Sequence, residues 1–594
     1  MILTEQLPGG SKRLFTRLLP RLMAGLSLVL FGSLLAVWYQ TAGLSVDVRD
    51  IRIETSSGQR LSALLYVPVN ATPATPAPGV LAIHGYINSR ETQSGFAIEL
   101  ARRGFVVLAL DQTGHGYSDP PAFSEGFGGP GGLAYLRSLA FVDIDRIGLE
   151  GHSMGGWAVQ MAATNQPDGY QAMVLLGSST GTFGAPEGTP KVPKNLALIF
   201  SRFDEFSSFM WGSETAAGII DTTKLQTLFG TQEAVVEGQR YGDASQGTAR
   251  LLAMPDVTHP GDHLSTEAMG HTLSWFEEQL AQPSTITNQV WYWKELGTLL
   301  ALLGLAWLVF PFIDATLAMA GPLLQAAPVH PPEQPRWVTG LAVSLTVLVP
   351  VISFFPLQNL ADSWLPASAW LPQQITNGVL LWAWGNGLFT AVLLLLWFRR
   401  QPQITWRQCG LSINVDQALS TLKVALLVVL MLYLVALLVA TAGVDFRFWV
   451  VAMKVMSSTQ TGMFVIYLVP FTAFFIVQSA SLHAQLQLGW GSSGTRQQRR
   501  ANWYNGLVLS VGFLGLLVLQ YVPLLLGGTL LIDSQPLLSI VAFQFVPVML
   551  LVGMISSHCY HRTGSVYLGA CINGLWVTWY LVAGTATQAL PFWW

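Results

Sequence analysis

Charge is what this chain has least of. Only 11% of its residues are charged, against about 25% in an ordinary soluble domain, which argues against a wholly soluble protein. A basic surplus is lacking as well. The formal net charge is −3, which offers nothing to neutralise a nucleic-acid backbone. Cysteine is nearly absent: Cys409, Cys559 and Cys571 are too few for a disulfide framework and have no metal-ligand spacing. No internal repeat or low-complexity tract stands out. The proline-rich stretch 72–78 reads as a surface loop and 325–335 as a linker between apolar segments. What remains is a 594-residue chain that is 51% hydrophobic, long enough for several domains.

The scarce charges are unevenly placed. Residues 44–284 hold 14 Lys and Arg against 25 Asp and Glu, a net of −11. Residues 1–43 carry Lys12, Arg13, Arg17 and Arg21 against Glu5, and residues 285–594 have a net of +5. An acidic, ordinary-looking domain therefore sits between a basic leader and a long charge-poor tail.

The tail has the pattern of membrane spans. Apolar runs of roughly 20 residues, the length that crosses a bilayer, fall at 296–317, 337–355, 378–397, 419–441, 463–485, 507–526, 537–555 and 566–582. A ninth, 22–39, follows the basic leader. The expected organisation is a leader and anchor over 1–43, a soluble domain over 44–284, and a tail of about eight transmembrane helices over 285–594. Positive charge sets the orientation. With the N-terminus inside, Arg336, Arg399, Arg400, Arg407, Arg496, Arg499, Arg500 and Arg562 fall on inner loops, and only Arg447 and Lys454 on outer ones. That assignment puts the acidic domain outside the cytoplasm. Cleavage of the leader would leave it there too, but 39–46 offers no clear small-residue cleavage site, so an uncleaved anchor is the expectation.

Within 46–280 strands and helices alternate. Segments 46–54 and 61–67 have the alternation of an antiparallel hairpin. Short apolar runs follow at 79–83, 105–110, 146–149, 172–176, 196–200 and 251–254, with amphipathic segments at 93–103, 157–164 and 266–280. Apolar strands alternating with helices predict an α/β fold with a mostly parallel sheet covered on both faces. Sites in such folds gather at the carboxyl ends of the strands.

The residues there carry three motifs. Gly151-His152-Ser153-Met154-Gly155 follows the run at 146–149. Glycine on both sides lets a serine stand on a sharp strand-to-helix turn. The run at 79–83 ends in His84-Gly85-Tyr86, and that at 105–110 in Asp111-Gln112-Thr113-Gly114-His115-Gly116-Tyr117-Ser118. In these motifs the chain, from about 46 to 280 and not in the tail, resembles the α/β-hydrolase family. The resemblance implies Ser153 as nucleophile, with the backbone N–H groups of Tyr86 and Met154 as oxyanion hole.

A serine needs a base, and the base an orienting acid; the family's order is serine, acid, histidine. Asp204 stands where the acid would follow its strand, with Glu205 as the fallback. His259 matches the usual distance from strand to base, and His263 is the alternative at the start of the last helix. His84, His115, His152 and His271 are expected to serve local packing. Residues 177–195 leave no room for the helical cap common in the family, so 206–248 or the membrane part itself would cover the site.

In the tail, Asp314, Lys423 and His483 are the ionisable residues inside spans; Asp314 and His483 are expected near the inner interface, contacting loops or water. Trp291, Tyr292, Trp293, Trp364, Trp370, Trp593 and Trp594 fit an outer aromatic belt. The sequence thus predicts a membrane-anchored serine hydrolase working through an acyl-enzyme on carboxylic esters, some of them lipidic. A peptidase or acyltransferase on the same triad is the alternative, and a non-catalytic sensor or transporter the rival. No cofactor or metal is implied, no nucleic-acid partner is expected, and an acidic domain beside anionic headgroups favours neutral or cationic substrates.

Overall fold

A computed structural model describes residues 9–324, 334–486 and 495–594. The 325–335 linker lies almost wholly outside these, as do the side chains of Lys12, Arg13 and Arg17.

Helix α1 (Gly9–Gln40) leads into a hairpin of β1 (Val46–Glu54) and β2 (Arg60–Pro68), then β3 (Ala77–Ile83). Next come α2 (Ser94–Arg102), β4 (Val106–Leu110), α3 (Gly129–Ser138), β5 (Val142–His152), α4 (Met154–Asn165) and β6 (Ala172–Leu176). The domain continues through β7 (Leu196–Ile199), α5 (Ser207–Trp211), α6 (Thr223–Phe229), β8 (Arg240–Tyr241) and β9 (Arg250–Ala253) to α7 (Thr266–Gln279). The nine strands form one sheet in the order β1-β2-β4-β3-β5-β6-β7-β9-β8. Its six strands from β4 to β9 are parallel; β1, β2 and β8 run antiparallel to their neighbours at the two edges.

Every position of β4, β6 and β7 is buried, because helices cover both faces, as a parallel sheet requires. On one face Leu81, Leu108 and Leu149 pack against α3 and α4. On the other, Val80, Val107 and Val174 pack against α2 and α7. The edge strand β1 alternates buried and exposed positions. The register pairs Ile83 with Leu110 and Gly151, His152 with Leu176, Leu176 with Ile199, and Ile199 with Ala253. The carboxyl ends therefore lie level, and the loops after β3, β5, β7 and β9 share one edge.

The tail is a helix bundle: α8 (Trp291–Ala320), α9 (Arg336–Ile352), α10 (Phe354–Trp364), α11 (Gln374–Arg400), α12 (Val415–Thr441), a hairpin of β10 (Phe446–Phe448) and β11 (Val451–Met453), α13 (Ser458–Ser481), α14 (Thr495–Gly527), α15 (Pro536–Thr563) and α16 (Tyr567–Gly584). Among the described residues seven helices, counting α1, are long and apolar enough to cross a membrane, and up to eight if α9 and α10 are one broken span. That pair, at the expected span 337–355, bends by 48°. Pro356 has no N–H to offer the carbonyl four residues back, which breaks the ladder at this point. The expected span 566–582 forms α16, whose residues are nearly all buried inside the bundle, and it is not among the seven.

Three expectations for the tail are corrected. Asp314 does not meet loops or water. It is held by Arg21 at 2.5 Å, His558 at 2.9 Å and Arg562 at 3.0 Å, tying α1, α8 and α15 together, because a buried carboxylate needs paired charge. His483 is likewise enclosed, hydrogen-bonded to Ser556 and stacked on Tyr560. Trp291 is no belt residue: it is 3% exposed and packs in the core of the α/β domain beside α2 and α7. Its N–H is taken by the Glu99 carboxylate at 3.0 Å. The other six aromatics of the expected belt are exposed, and Lys423 is exposed on α12.

Candidate active site

The turn between β5 and α4 carries Ser153 at φ 53° and ψ −122°, a conformation that costs a non-glycine residue energy and persists only where its surroundings enforce it. The Ser153 N–H donates to the Leu176 carbonyl at 2.8 Å, and the Ser178 hydroxyl donates to the Ser153 carbonyl at 2.7 Å. Both bonds pin the turn to the end of β6. A side chain at Gly155 would run into the Ile83 carbonyl of β3, so the glycine lets α4 sit against the neighbouring strand. Met154 opens α4, and its N–H has no partner within the helix.

Asp204 and His259 meet because their loops continue the sheet for one further pairing. Phe203 and Thr258 form a parallel bridge beyond β7 and β9, which sets the next two residues side by side. His259 Nδ1 donates to Asp204 Oδ2 at 2.8 Å, and Phe206 N–H donates to Asp204 Oδ1 at 2.8 Å. Both groups are at least 95% buried. The end of β6 leaves room for the pair: Gly177 has φ 48°, and a Cβ there would lie 2.8 Å from His259 Nδ1. Burial alone would push the imidazole of His259 down. The charge and hydrogen bond of Asp204, with Glu205 and Asp262 behind it, outweigh this and hold it above its usual 6.5.

Glu205, the fallback acid, does something different. Its Oε2 accepts the backbone N–H of His259 at 2.7 Å and its Oε1 the hydroxyl of Tyr521 at 2.8 Å. Burial, with Asp204 next to it, pushes its carboxyl up to about 7. His263, the alternative base, lies 4.2 Å from the His152 ring, centroid to centroid. Neither of its ring nitrogens has a hydrogen-bond partner among the described residues, and burial holds it well below 6.5. Of the two candidate bases, His259 is the one paired with a carboxylate. His84 bonds Gly85 and Gln112, His115 bonds the Thr113 carbonyl, and His152 reaches the His259 carbonyl at 3.0 Å; these are loop-shaping contacts. His271 sits part-exposed on α7. Tyr86 follows β3, and Gly85 beside it lies close enough that a Cβ there would come within 3.0 Å of Ser153 Cβ.

The edge that bears these residues is covered by the bundle. Trp449, in the β10–β11 turn, donates its indole N–H to the Pro260 carbonyl at 2.8 Å, next to His259. Gln588 donates to the Tyr86 hydroxyl at 2.6 Å. Lys454 reaches Glu91 at 2.7 Å and Arg447 reaches Ser89 at 3.1 Å. Residues 206–248 pack mainly on the α4 face of the sheet through Met210, Trp211 and Leu225, and only Phe206, 4.5 Å from the His259 ring, touches the base. Residues 177–195 contain no helix. Sequence reasoning missed Trp449, Tyr521 and Gln588 as neighbours of the site, since nothing local marks them. Among the described residues no group of three or more His, Cys, Asp or Glu side chains is placed to hold a metal ion.

Residues 78–245 match the profile of the family described as alpha/beta hydrolase fold. This part of the chain has the α/β-hydrolase fold. An uncharacterized protein of Mycobacterium tuberculosis is 27% identical over 255 residues, covering 42% of this chain and 67% of its own length. Human dipeptidyl peptidase 8 is 31% identical over 138 residues, 20% of this chain and 15% of its own. Among solved structures, the Pyrococcus furiosus esterase Pf2001 is 17% identical, covers 40% of this chain and 95% of its own, and gives a TM-score of 0.29. All of these matches cover less than half of the chain.

Proposed function

We propose that the protein is a membrane-embedded serine hydrolase that cleaves carboxylic esters. One observation carries the reading: the buried 2.8 Å pair of His259 and Asp204 shares a sheet edge with Ser153 on its strained turn. In the proposed reaction Ser153 Oγ attacks the ester carbonyl carbon and its proton passes to His259 Nε2, the nitrogen that Asp204 leaves free. Asp204 holds the imidazolium that forms. The N–H groups of Tyr86 and Met154 receive the oxyanion. Collapse expels the alcohol, protonated by His259, and leaves an acyl group on Ser153. Water, deprotonated by His259, then releases the carboxylic acid and restores the serine. No cofactor enters this scheme.

The same atoms serve an amide, and the match to a dipeptidyl peptidase favours peptide hydrolysis as the second reading. The orientation proposed with this function puts the hydrolase domain outside the cytoplasm, supported by the arginines at the far end of the bundle: Arg399 and Arg400 close α11, and Arg562 lies in the last turn of α15. Labelling of the detergent-solubilised full chain with a fluorophosphonate tests the mechanism. Labelling that Ser153→Ala abolishes supports it. A folded wild-type protein that takes no label supports the rival, a non-catalytic ligand-binding domain, and a panel of esters and peptides separates the first two readings.

A further inference from the structure

A cavity opens directly beneath the oxyanion loop. Its roof is Ile87, Asn88 and Ser89, with Gly116 beside them; these follow Tyr86 and Gly85, the latter standing against Ser153. Its walls are membrane helices: α11 contributes Val379 and Ala383, α13 Phe471 and Phe475, α15 Val541 and Val548, and α16 Val577 and Leu581. From Val541 to Met549 the lining follows α15 for eight residues, about 12 Å, roughly the length of an extended ten-carbon chain.

Most of the polar groups on the wall are already engaged. Lys454 pairs with Glu91 at 2.7 Å, Arg447 with Ser89 at 3.1 Å, and Gln544 accepts from Tyr580 at 2.5 Å. A peptide inserted here would leave its backbone N–H and C=O groups unsatisfied, at a cost of several kcal/mol for each group. A hydrocarbon chain asks for no partner. The floor is an aromatic cluster in which the Trp382 ring lies 6.1 Å from Phe474 and 5.1 Å from Phe545. Below it a second apolar groove begins, and Trp382, Phe474 and Met549 line both spaces.

Building on the serine-hydrolase reading, we propose that the substrate is a long-chain acyl ester taken from the bilayer, its first carbons (about ten) lying in this cavity between α11, α13, α15 and α16 and the remainder passing Trp382 into the second groove. The membrane part then serves as the acyl pocket of the enzyme, replacing the cap that residues 177–195 do not form.

Two fluorophosphonates, one with a two-carbon and one with a sixteen-carbon alkyl chain, test this on the full chain in lipid nanodiscs, since the alkyl chain stands where the acyl chain would. The wild type is expected to react at least tenfold faster with the long probe. Ala383→Phe, which narrows the cavity, should lower the long-to-short ratio at least tenfold. Trp382→Ala, which joins the two spaces, should raise the ratio. A ratio near one in the wild type overturns the proposal, as does a ratio that neither variant moves, provided the short probe still labels Ser153. Absence of labelling by both probes instead overturns the underlying serine-hydrolase reading.

Discussion

The Tyr521 hydroxyl donates to Glu205 Oε1 at 2.8 Å across 316 residues of sequence, joining helix α14 to the loop beside the Asp204–His259 pair. The other oxygen of that carboxylate holds the backbone N–H of His259 at 2.7 Å. Helix α14 thus steadies the backbone of His259 through one intermediate side chain. With Trp449 bonded to Pro260 on the other side, the histidine loop is gripped twice by the bundle.

Tyr521→Phe removes one grip without changing the shape of the side chain. A hydrogen bond to a charged group contributes about 1.5–3 kcal/mol, so a loosened loop should lower kcat about tenfold or more, with little change in KM. The lost bond also held the Glu205 carboxyl down. Without it Glu205 gains a proton more readily, less negative charge faces His259, and the acid limb of the rate profile moves to lower pH. Steady-state kinetics on a short-chain ester between pH 5 and 9 measure both effects. An unchanged profile with unchanged kcat would sink the positioning role.

The proposed base must be neutral to accept a proton. Because Asp204 and its neighbours raise His259 above 6.5, kcat/KM should climb with pH through a value above 6.5 and then level. The same shift makes a contribution to stability that is complete below the unfolded value of about 6.5 and is lost as pH rises through the folded value. Asp204→Asn removes the charge while burial remains, so the limb should fall below 6.5 and activity should drop by about 10⁴, the size seen when a triad acid is neutralised elsewhere. His263→Ala should retain activity and His259→Ala should not. The reverse outcome would exchange the two histidines.

Much of this arrangement is legible in the sequence, and the illegible part has a physical cause. The strands at 79–83, 172–176 and 196–200 are apolar throughout because both faces are covered, and turn residues bound them, so their positions and the residues beyond them follow directly. The sequence run 146–149 covers only the middle of β5, because Asp143–Arg146 is half-exposed and mostly polar and the buried end 150–152 has no apolar side chain. Helix α3 was missed because Gly128-Gly129-Pro130-Gly131-Gly132 has the composition of a loop, and the helix starts within it. Asp204 and His259 were each placed from one loop. What no single loop reveals is that the Glu205 carboxylate also reaches Tyr521, on the long apolar helix α14. Trp291 shows the same limit: an aromatic at the predicted water boundary is indistinguishable in sequence from one that plugs a core.

Glu150 lies inside β5 with both carboxyl oxygens buried and without a hydrogen-bond partner among the described residues. Burial raises its pKa well above 4.5. A carboxyl raised in the folded state favours folding fully only below its unfolded value, and that stability is lost as pH rises. Glu150→Gln should therefore flatten the decline of the melting temperature between pH 5 and 8 and raise the melting temperature at pH 8. Thermal unfolding in detergent at several pH values checks it. A variant that melts lower than wild type at pH 8 would mean that the carboxyl has an ionic partner.

Asp314 joins three helices through Arg21, His558 and Arg562. Asp314→Ala leaves the more enclosed His558, and Arg21 and Arg562, which are 33% and 43% exposed, without their acid. The loss lies between the about 1 kcal/mol of an exposed pair and the about 3–5 kcal/mol of a fully buried one. The variant should melt markedly lower, while the labelling rate of whatever remains folded at low temperature stays near wild type, because the junction lies on α15 more than twenty residues from the Pro536 end that faces the hydrolase domain. Loss of labelling in protein that remains folded would connect this junction to the site.

The Asp204–His259 pair depends on an empty space at Gly177. A methyl group there would sit 2.8 Å from His259 Nδ1 and 3.1 Å from Asp204 Oδ2, on a backbone with φ 48°. Gly177→Ala must therefore both strain the end of β6 and push the two groups apart. Strain of this kind costs on the order of 1–3 kcal/mol, tolerable for a domain with two covered sheet faces, so the chain should still fold. The separated pair no longer outweighs burial at the imidazole, which should bring the acid limb of kcat/KM down toward or below 6.5 and lower the maximal rate at least tenfold. A folded Gly177→Ala variant with wild-type rate and profile would show that the contact between Asp204 and His259 is not what sets the base.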